Sequence, residues 1–238
     1  MRSYLIVDDN RALAENLAEI VQETGARATL AGGGAEALQL ARGQHFDVLV
    51  TDMRMPEVNG ADLVRELRGV DPGLPVIVIT AFTSDDQLGL ARRYGLLGVL
   101  PKPVPIGRLF ELSAVARRDG VVAIVEDDPA LADNLSEALS AKGFPTVVAT
   151  SLTDAERIGA SPFAAIADLR LPDGPDGRSV ALLRERFPGL PLIAVTAHDE
   201  LARPDETSGF FAKPYRMEEI LALVEELHAR RHTAKPGA

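Results

Sequence analysis

The chain has 238 residues, 46% of them apolar and 25% charged, a balance that supports buried cores and leaves room for two domains of about 120 residues each. Its formal charge is −10, with 13 basic against 15 acidic residues in 1–118 and 12 against 20 in 119–238; neither half has the basic stripe that binding nucleic-acid phosphates requires. No cysteine is present, which excludes disulfides, thiolate metal sites and thiol nucleophiles, and the four histidines, His45, His198, His228 and His232, fall in no metal-ligand spacing.

The chain opens on MRSYLIVDD, where four apolar residues precede Asp8 and Asp9. That run is too short for a signal-peptide core or a membrane span, so a cytoplasmic location without membrane insertion is expected. YLIV reads as a strand buried on both faces, and Leu13, Leu17, Ile20 and Val21 then mark one face of a helix. Gly32-Gly33-Gly34 follows the second strand and lacks GxGxxG spacing, so it reads as a strand-to-helix turn and not a dinucleotide site. VLVT leads into Asp52, VIVIT ends on Thr80, and a fifth short strand leads to Lys102-Pro103, after which a helix begins beyond Pro105. Alternating strands and helices imply a parallel sheet covered on both sides.

The order then repeats. LIVDDNRAL at 5–13 aligns with AIVEDDPAL at 123–131, LVTDMRMPEVNG at 49–60 with IADLRLPDGPDG at 166–177, VIVITAF at 76–82 with LIAVTAH at 192–198, and LPKP at 100–103 with AKP at 212–214. The offset falls from 118 to 116 and then 111, which places insertions and deletions between the blocks. The expected architecture is α/β: two doubly wound parallel-sheet domains in tandem, 1–118 and 119–232, with 233–238 a flexible tail. The junction Arg117-Arg118-Asp119-Gly120 is too short for a long tether and predicts a restricted orientation between the halves. A last helix from about Met217 buries Ile220, Leu223, Val224 and Leu227 and turns Glu218, Glu219, Glu225 and Glu226 outward.

In an open parallel sheet, functional groups gather beyond the carboxyl ends of the strands. There the first half places Asp8, Asp9, Asp52, Thr80 and Lys102, and the second half Glu126, Asp127, Asp168, Thr196 and Lys213. Crowded carboxylates repel one another unless a cation sits among them, and hard oxygen donors at a partly hydrated site suit Mg²⁺. An aspartate activated in this way attacks phosphorus, and a lysine and a threonine serve the remaining phosphoryl oxygens. A strand-ending aspartate is commonly only the cap of the next helix. Five residue types recurring in order, with the same 28-residue step from Asp to Thr, are hard to obtain from capping alone. His198, two residues after Thr196, reads more simply as a solvated loop residue than as a phosphate contact.

These motifs together, DD or ED after strand one, DxxxP at strand three, [VI]TA at strand four and KP after strand five, resemble the receiver domains of two-component response regulators, of the chemotaxis-regulator type, along essentially the whole chain. The resemblance implies a flavodoxin-like (βα)5 fold in each half, with no output domain beyond them. It implies Mg²⁺-dependent transfer of phosphate from a phosphohistidine on a sensor kinase or histidine phosphotransfer protein to Asp52 and Asp168, followed by slow self-hydrolysis. Direct Mg²⁺ ligands would be Asp9 and Asp52, with Asp8 through water and the backbone carbonyl of Arg54; Glu126, Asp127, Asp168 and the Arg170 carbonyl would serve likewise. Lys102, Lys213, Thr80 and Thr196 would contact the phosphoryl group, and the peptides before Pro103 and Pro214 would be cis.

In such domains an aromatic three residues before the lysine reports phosphorylation by rotating, which reshapes the face of helix four, strand five and helix five. Here the first half has Val99 at that position and the second has Phe210. The step from Thr to Lys is 22 residues in the first half but 17 in the second, with Pro204 inside it, which predicts a short or missing fourth helix there. The expected role is therefore signalling through phosphorylation-dependent binding of a downstream protein, as kinase partner, relay intermediate or phosphate sink. A second reading makes the second half a docking or homodimerisation module that is not phosphorylated. A haloacid-dehalogenase-type phosphatase needs a DxD pattern after strand one, which Asp8-Asp9-Asn10 lacks.

Overall fold

The structure, a computed structural model, describes residues 1–81, 86–197 and 207–233. The first half runs β1 (Ser3–Val7), α1 (Arg11–Glu23), β2 (Arg27–Ala31), α2 (Gly34–Gly43), β3 (Val48–Asp52), α3 (Gly60–Val70), β4 (Val76–Thr80), α4 (Asp86–Arg92), β5 (Gly98–Pro101) and α5 (Ile106–Val115). The second runs β6 (Val122–Val125), α6 (Pro129–Ala141), β7 (Thr146–Ala149), α7 (Leu152–Ala155), β8 (Ala164–Asp168), α8 (Arg178–Arg186), β9 (Leu192–Thr196), β10 (Gly209–Ala212) and α9 (Met217–Thr233). Pro204, His198 and the stretch between β9 and β10 where a short or missing helix is expected lie outside the described residues. So does the tail from 234, while Thr233 still belongs to α9.

Both sheets are parallel and share one strand order, β2-β1-β3-β4-β5 and β7-β6-β8-β9-β10, the flavodoxin-like doubly wound arrangement. Side-chain alternation explains why the apolar runs are continuous. Leu5 and Val7 of β1 enter the core under α2, α3 and α4, while Tyr4 and Ile6 enter the opposite core with Leu17 and Val21 of α1 and Leu109 and Leu112 of α5. In the second sheet Ala123 and Val125 face α7 and α8, and Val122 and Ile124 face α6 and α9. Helix starts follow local chemistry: Asn10, Asn59 and Ser151 accept backbone N–H groups at the starts of α1, α3 and α7, and Asp128 caps α6 with Pro129 in its first turn. Gly33, inside the triple-glycine stretch, precedes α2 as the expected turn.

The halves meet along a bonded seam. Leu96, two residues before β5, forms an antiparallel pair with Thr146 at the start of β7, through bonds of 3.2 and 2.9 Å. The Gly159 N–H donates to the Arg93 carbonyl at 2.9 Å, and the Tyr94 ring lies against Gly159 so closely that a Cβ there would overlap it. The junction is held from both sides. Arg118 donates to both Asp71 oxygens at 2.6 and 2.8 Å and to the Phe46 carbonyl, while His228 Nε2 donates to the Arg118 carbonyl at 3.2 Å. Arg117 reaches Glu225 at 3.0 Å and the Lys142 carbonyl at 2.9 Å. One α3 side chain ties these pieces together: buried Arg68 donates to the carbonyls of Tyr94, Pro72, Leu74 and Gly95 at 2.6 to 3.0 Å. Burial lowers its pKa to about 10; Asp71 opposes that shift and Arg118 adds to it.

Small-angle scattering should therefore fit a single arrangement of the two halves, and a profile that demands a broad ensemble would contradict a pinned junction. Arg68→Ala should leave four carbonyls without their charged donor and destabilise the chain by about 3 kcal/mol in denaturant titrations; a loss of only a few tenths would mean that water replaces those bonds.

Candidate functional site

Parallel strands deliver their carboxyl ends to one edge, and each sheet gathers its polar groups there. In the first half Asp8 follows β1, Asp52 ends β3, Thr80 ends β4 and Lys102 follows β5. Asp8, Asp52 and Thr80 are buried, whereas Asp9 is exposed at the rim. The register Asp52↔Ile79 and the bond from Lys102 N to the Thr80 carbonyl at 3.0 Å hold β3, β4 and the start of the β5–α5 loop side by side. Lys102 Nζ then lies 3.0 Å from Asp52 Oδ2 and 3.2 Å from Asp8 Oδ2. The other oxygens take backbone donors, Met53 N to Asp52 and Asn10 N to Asp8, each at 2.8 Å.

The second half repeats the plan with one difference. Lys213 Nζ reaches Asp168 Oδ2 at 2.6 Å and both oxygens of Glu126 at 2.9 and 2.7 Å, so all three of its N–H bonds are used. Glu126, one methylene longer than Asp8, wraps the ammonium from both oxygens. Asp168 Oδ1 accepts Arg170 N at 2.9 Å, and Thr196 is buried at the end of β9 with its carbonyl bonded to Lys213 N at 2.7 Å. Beside these groups opens a cavity of about 780 Å³ lined by Asp127, Asp168, Arg170, Gly174, Ala197 and Lys213.

None of the five carboxylates Asp8, Asp9, Asp52, Asp127 and Asp168 caps a helix; that work is done by Asn10, Asn59 and Asp128. The acids are instead arranged as two triads, Asp8–Asp9–Asp52 and Glu126–Asp127–Asp168, each with one oxygen per residue within 4.8 Å of the others. Two buried acids and one exposed acid, all with oxygen donors at an open edge, fit a small hard cation that keeps some of its water. The exposed arginines Arg54 and Arg170 follow β3 and β8 in the same loops.

The electrostatics follow from burial. Desolvation raises the pKa of Asp8, against the opposing pull of the Asn10 N–H and Lys102, and it raises that of Glu126 against Lys213. Burial on its own would lower both lysines, but hydrogen bonds and charge from Asp52 and Asp8, and from Asp168 and Glu126, outweigh it and leave both raised.

Some parts escape inspection of the motifs. Gly60 allows the α3 start to approach the end of β3, since a Cβ there would meet the Asp52 carbonyl at 2.5 Å; Gly177 at φ 78° stands in the equivalent place before α8. Ser179 Oγ donates to the Asp168 carbonyl at 2.5 Å. Tyr215, just past Lys213-Pro214, buries its hydroxyl without a partner among the described residues, and burial, with Glu126 and Asp168 adding, raises its pKa. The peptides before Pro103 and Pro214 are both cis, as the resemblance implies. Val99 and Phe210 are both half-buried against their cores.

Residues 4–114 match the family model of the response regulator receiver domain. The chain is 55% identical over 232 residues to a response regulator receiver protein of Anaeromyxobacter sp. strain Fw109-5, covering 97% of both chains. It is also 35% identical over 123 residues to the probable transcriptional regulatory protein TcrX of Mycobacterium tuberculosis, and that match spans about half of each, 51% and 53%. Among solved structures, the receiver domain of Francisella response regulator 1452 aligns with a TM-score of 0.45 at 30% identity, over 48% of this chain and 95% of that one. The chain belongs to the response regulator receiver family of two-component signal transduction. Its second half, with the same strand order and acid triad, is receiver-like as well.

Because burial raises Asp8, the folded chain holds a proton there more readily than the unfolded chain does. That proton favours folding below the ordinary value of 3.8, and the contribution is lost as pH rises through the folded pKa. Asp8→Asn should therefore melt at a higher temperature than wild type at pH 7 without metal, with the difference shrinking towards pH 4. A variant less stable than wild type at pH 7 would show that the Lys102 contact outweighs burial.

Proposed function

We propose that Asp52 and Asp168 are the phospho-acceptors of receiver domains spanning 1–118 and 119–232. In this reading Asp8, Asp9, Asp52 and the Arg54 carbonyl hold Mg²⁺ in the first domain, and Glu126, Asp127, Asp168 and the Arg170 carbonyl hold it in the second. The observation that carries the reading is the shared ammonium: each acceptor aspartate and the acid from the first strand of its sheet meet the same lysine within 3.2 Å. Mg²⁺, when bound, neutralises phosphoryl oxygens and lowers the repulsion met by an incoming carboxylate. The acceptor oxygen attacks phosphorus, the bond from phosphorus to the donor imidazole nitrogen breaks, and that nitrogen leaves as histidine and takes up a proton. Lys102 or Lys213 turns from the acids to a phosphoryl oxygen, and Thr80 or Thr196 donates to another.

The donor is a sensor histidine kinase or a histidine phosphotransfer protein, and the product acts in the cytoplasm by binding a downstream protein, as a relay or as a phosphate sink. One observation distinguishes the domains: Lys213 gives three bonds to its acids and Lys102 two. Releasing one additional charge-assisted bond of about 1.4 kcal/mol slows acceptance about tenfold, which supports the second domain as the slower acceptor and leaves it suited to a docking role.

Incubation with acetyl phosphate and Mg²⁺ followed by intact mass measurement should show two phosphoryl additions, the faster lost in Asp52→Ala and the slower, by about tenfold, in Asp168→Ala. Omitting Mg²⁺ should remove both. No addition at either residue would sink the reading, and an addition lost only in Asp52→Ala would assign the second domain to docking alone.

A further inference from the structure

Residues 93–96 form the turn between α4 and β5; Lys102 follows the far end of β5, where Pro101 pairs with Thr80. This turn is also where the second domain is bonded: Gly159 N–H to the Arg93 carbonyl at 2.9 Å, the reciprocal Leu96–Thr146 pair at 3.2 and 2.9 Å, an Arg93–Asp154 ion pair at 3.6 Å, and the Tyr94 ring on the bare backbone of Gly159. Arg68 holds the Tyr94 and Gly95 carbonyls and Asp71 holds Arg118, so the turn and the junction share α3 as their support.

We infer that the second domain is the resident partner of the first: the phosphorylation state of Asp52 is read within the chain, through the 93–96 turn, by the surface of Gly159 and Thr146. This rests on Asp52 being an acceptor. A phosphoryl group adds about −1.5 to −2 charges where Lys102 now balances two acids. Lys102 follows β5 directly, Thr80 pairs with Pro101 at its end, and β5 is a four-residue strand entered from Leu96, so a shift of either residue reaches the turn along β5. Direct passage of phosphate between the two acceptors is excluded by direction. The Leu96–Thr146 bridge is antiparallel and joins the amino ends of β5 and β7, so the two carboxyl edges point apart and lie on the order of 30 Å from each other.

The test uses the full chain carrying Asp168→Ala, or Asp168→Asn should the alanine variant fold poorly, loaded with beryllium fluoride and Mg²⁺ as a phosphoryl mimic and followed by amide exchange in NMR. Loading should shift the Met53 and Lys102 amides and change exchange at the Gly159, Thr146 and Leu96 amides about fivefold or more. Shifts at Met53 and Lys102 with seam amides changed less than twofold would overturn the inference and leave Asp52 as acceptor. No shift at Met53 or Lys102 would instead defeat the acceptor reading. By reciprocity, Gly159→Ala, which pushes a methyl group into the Tyr94 ring, should alter the mimic's affinity for the first pocket; unchanged affinity also overturns the inference.

Discussion

One ammonium balancing two buried carboxylates organises each half of this protein. Parallel strands bring Asp8 and Asp52 to the same edge, and the mutual repulsion of two such charges a few ångströms apart amounts to several kcal/mol at the effective dielectric of a protein, about 4 kcal/mol at 4 Å. Lys102, just past β5, offsets it by reaching both acids, and its own N–H is bonded to the end of β4. The rest of the edge follows. Asn10 and Asn59 cap the neighbouring helices, which leaves the acids available, and Gly60 gives the loop room to pass over Asp52.

The same constraint has been met differently in the two halves. Glu126 reaches around Lys213 with both oxygens, which closes the second site more tightly and buries the acid almost completely at 1% exposure. Asp8 is shorter, meets its lysine through one oxygen and spends the other on a backbone N–H. A methylene therefore changes how many bonds hold the ammonium to its acids. Behind these edges the halves are joined by hydrogen bonds and not by a tether, with arginines bonding main-chain carbonyls across or beside the seam at Phe46, Lys142, Tyr94 and Gly95.

Family membership and geometry speak to different questions here. The alignment with the Anaeromyxobacter relative covers 97% of the chain and so includes the second half, which the receiver-domain match at 4–114 does not reach. For that half the strand order β7-β6-β8-β9-β10 and the triad of Glu126, Asp127 and Asp168 carry the assignment.

Much of this was legible in the residues. Strand runs such as VLVTD and VIVIT needed only period-two burial on both faces to be read correctly, and ten site residues could be placed because each stands at a strand end where the topology leaves no other edge. Arg68 and Tyr215 were not legible: a lone arginine inside an amphipathic helix and a tyrosine after KP look like surface and core until their neighbours are known. By itself the sequence determined the repeat, the fold of each half and which groups gather at each edge, because these depend on local pattern and spacing. Only the tertiary structure decided that Lys213 gives three bonds to its acids where Lys102 gives two, and that the α4–β5 turn is bonded to the second domain. Such contacts join positions about 50 to 110 residues apart, and no local pattern encodes which distant carbonyl or carboxylate a side chain will meet.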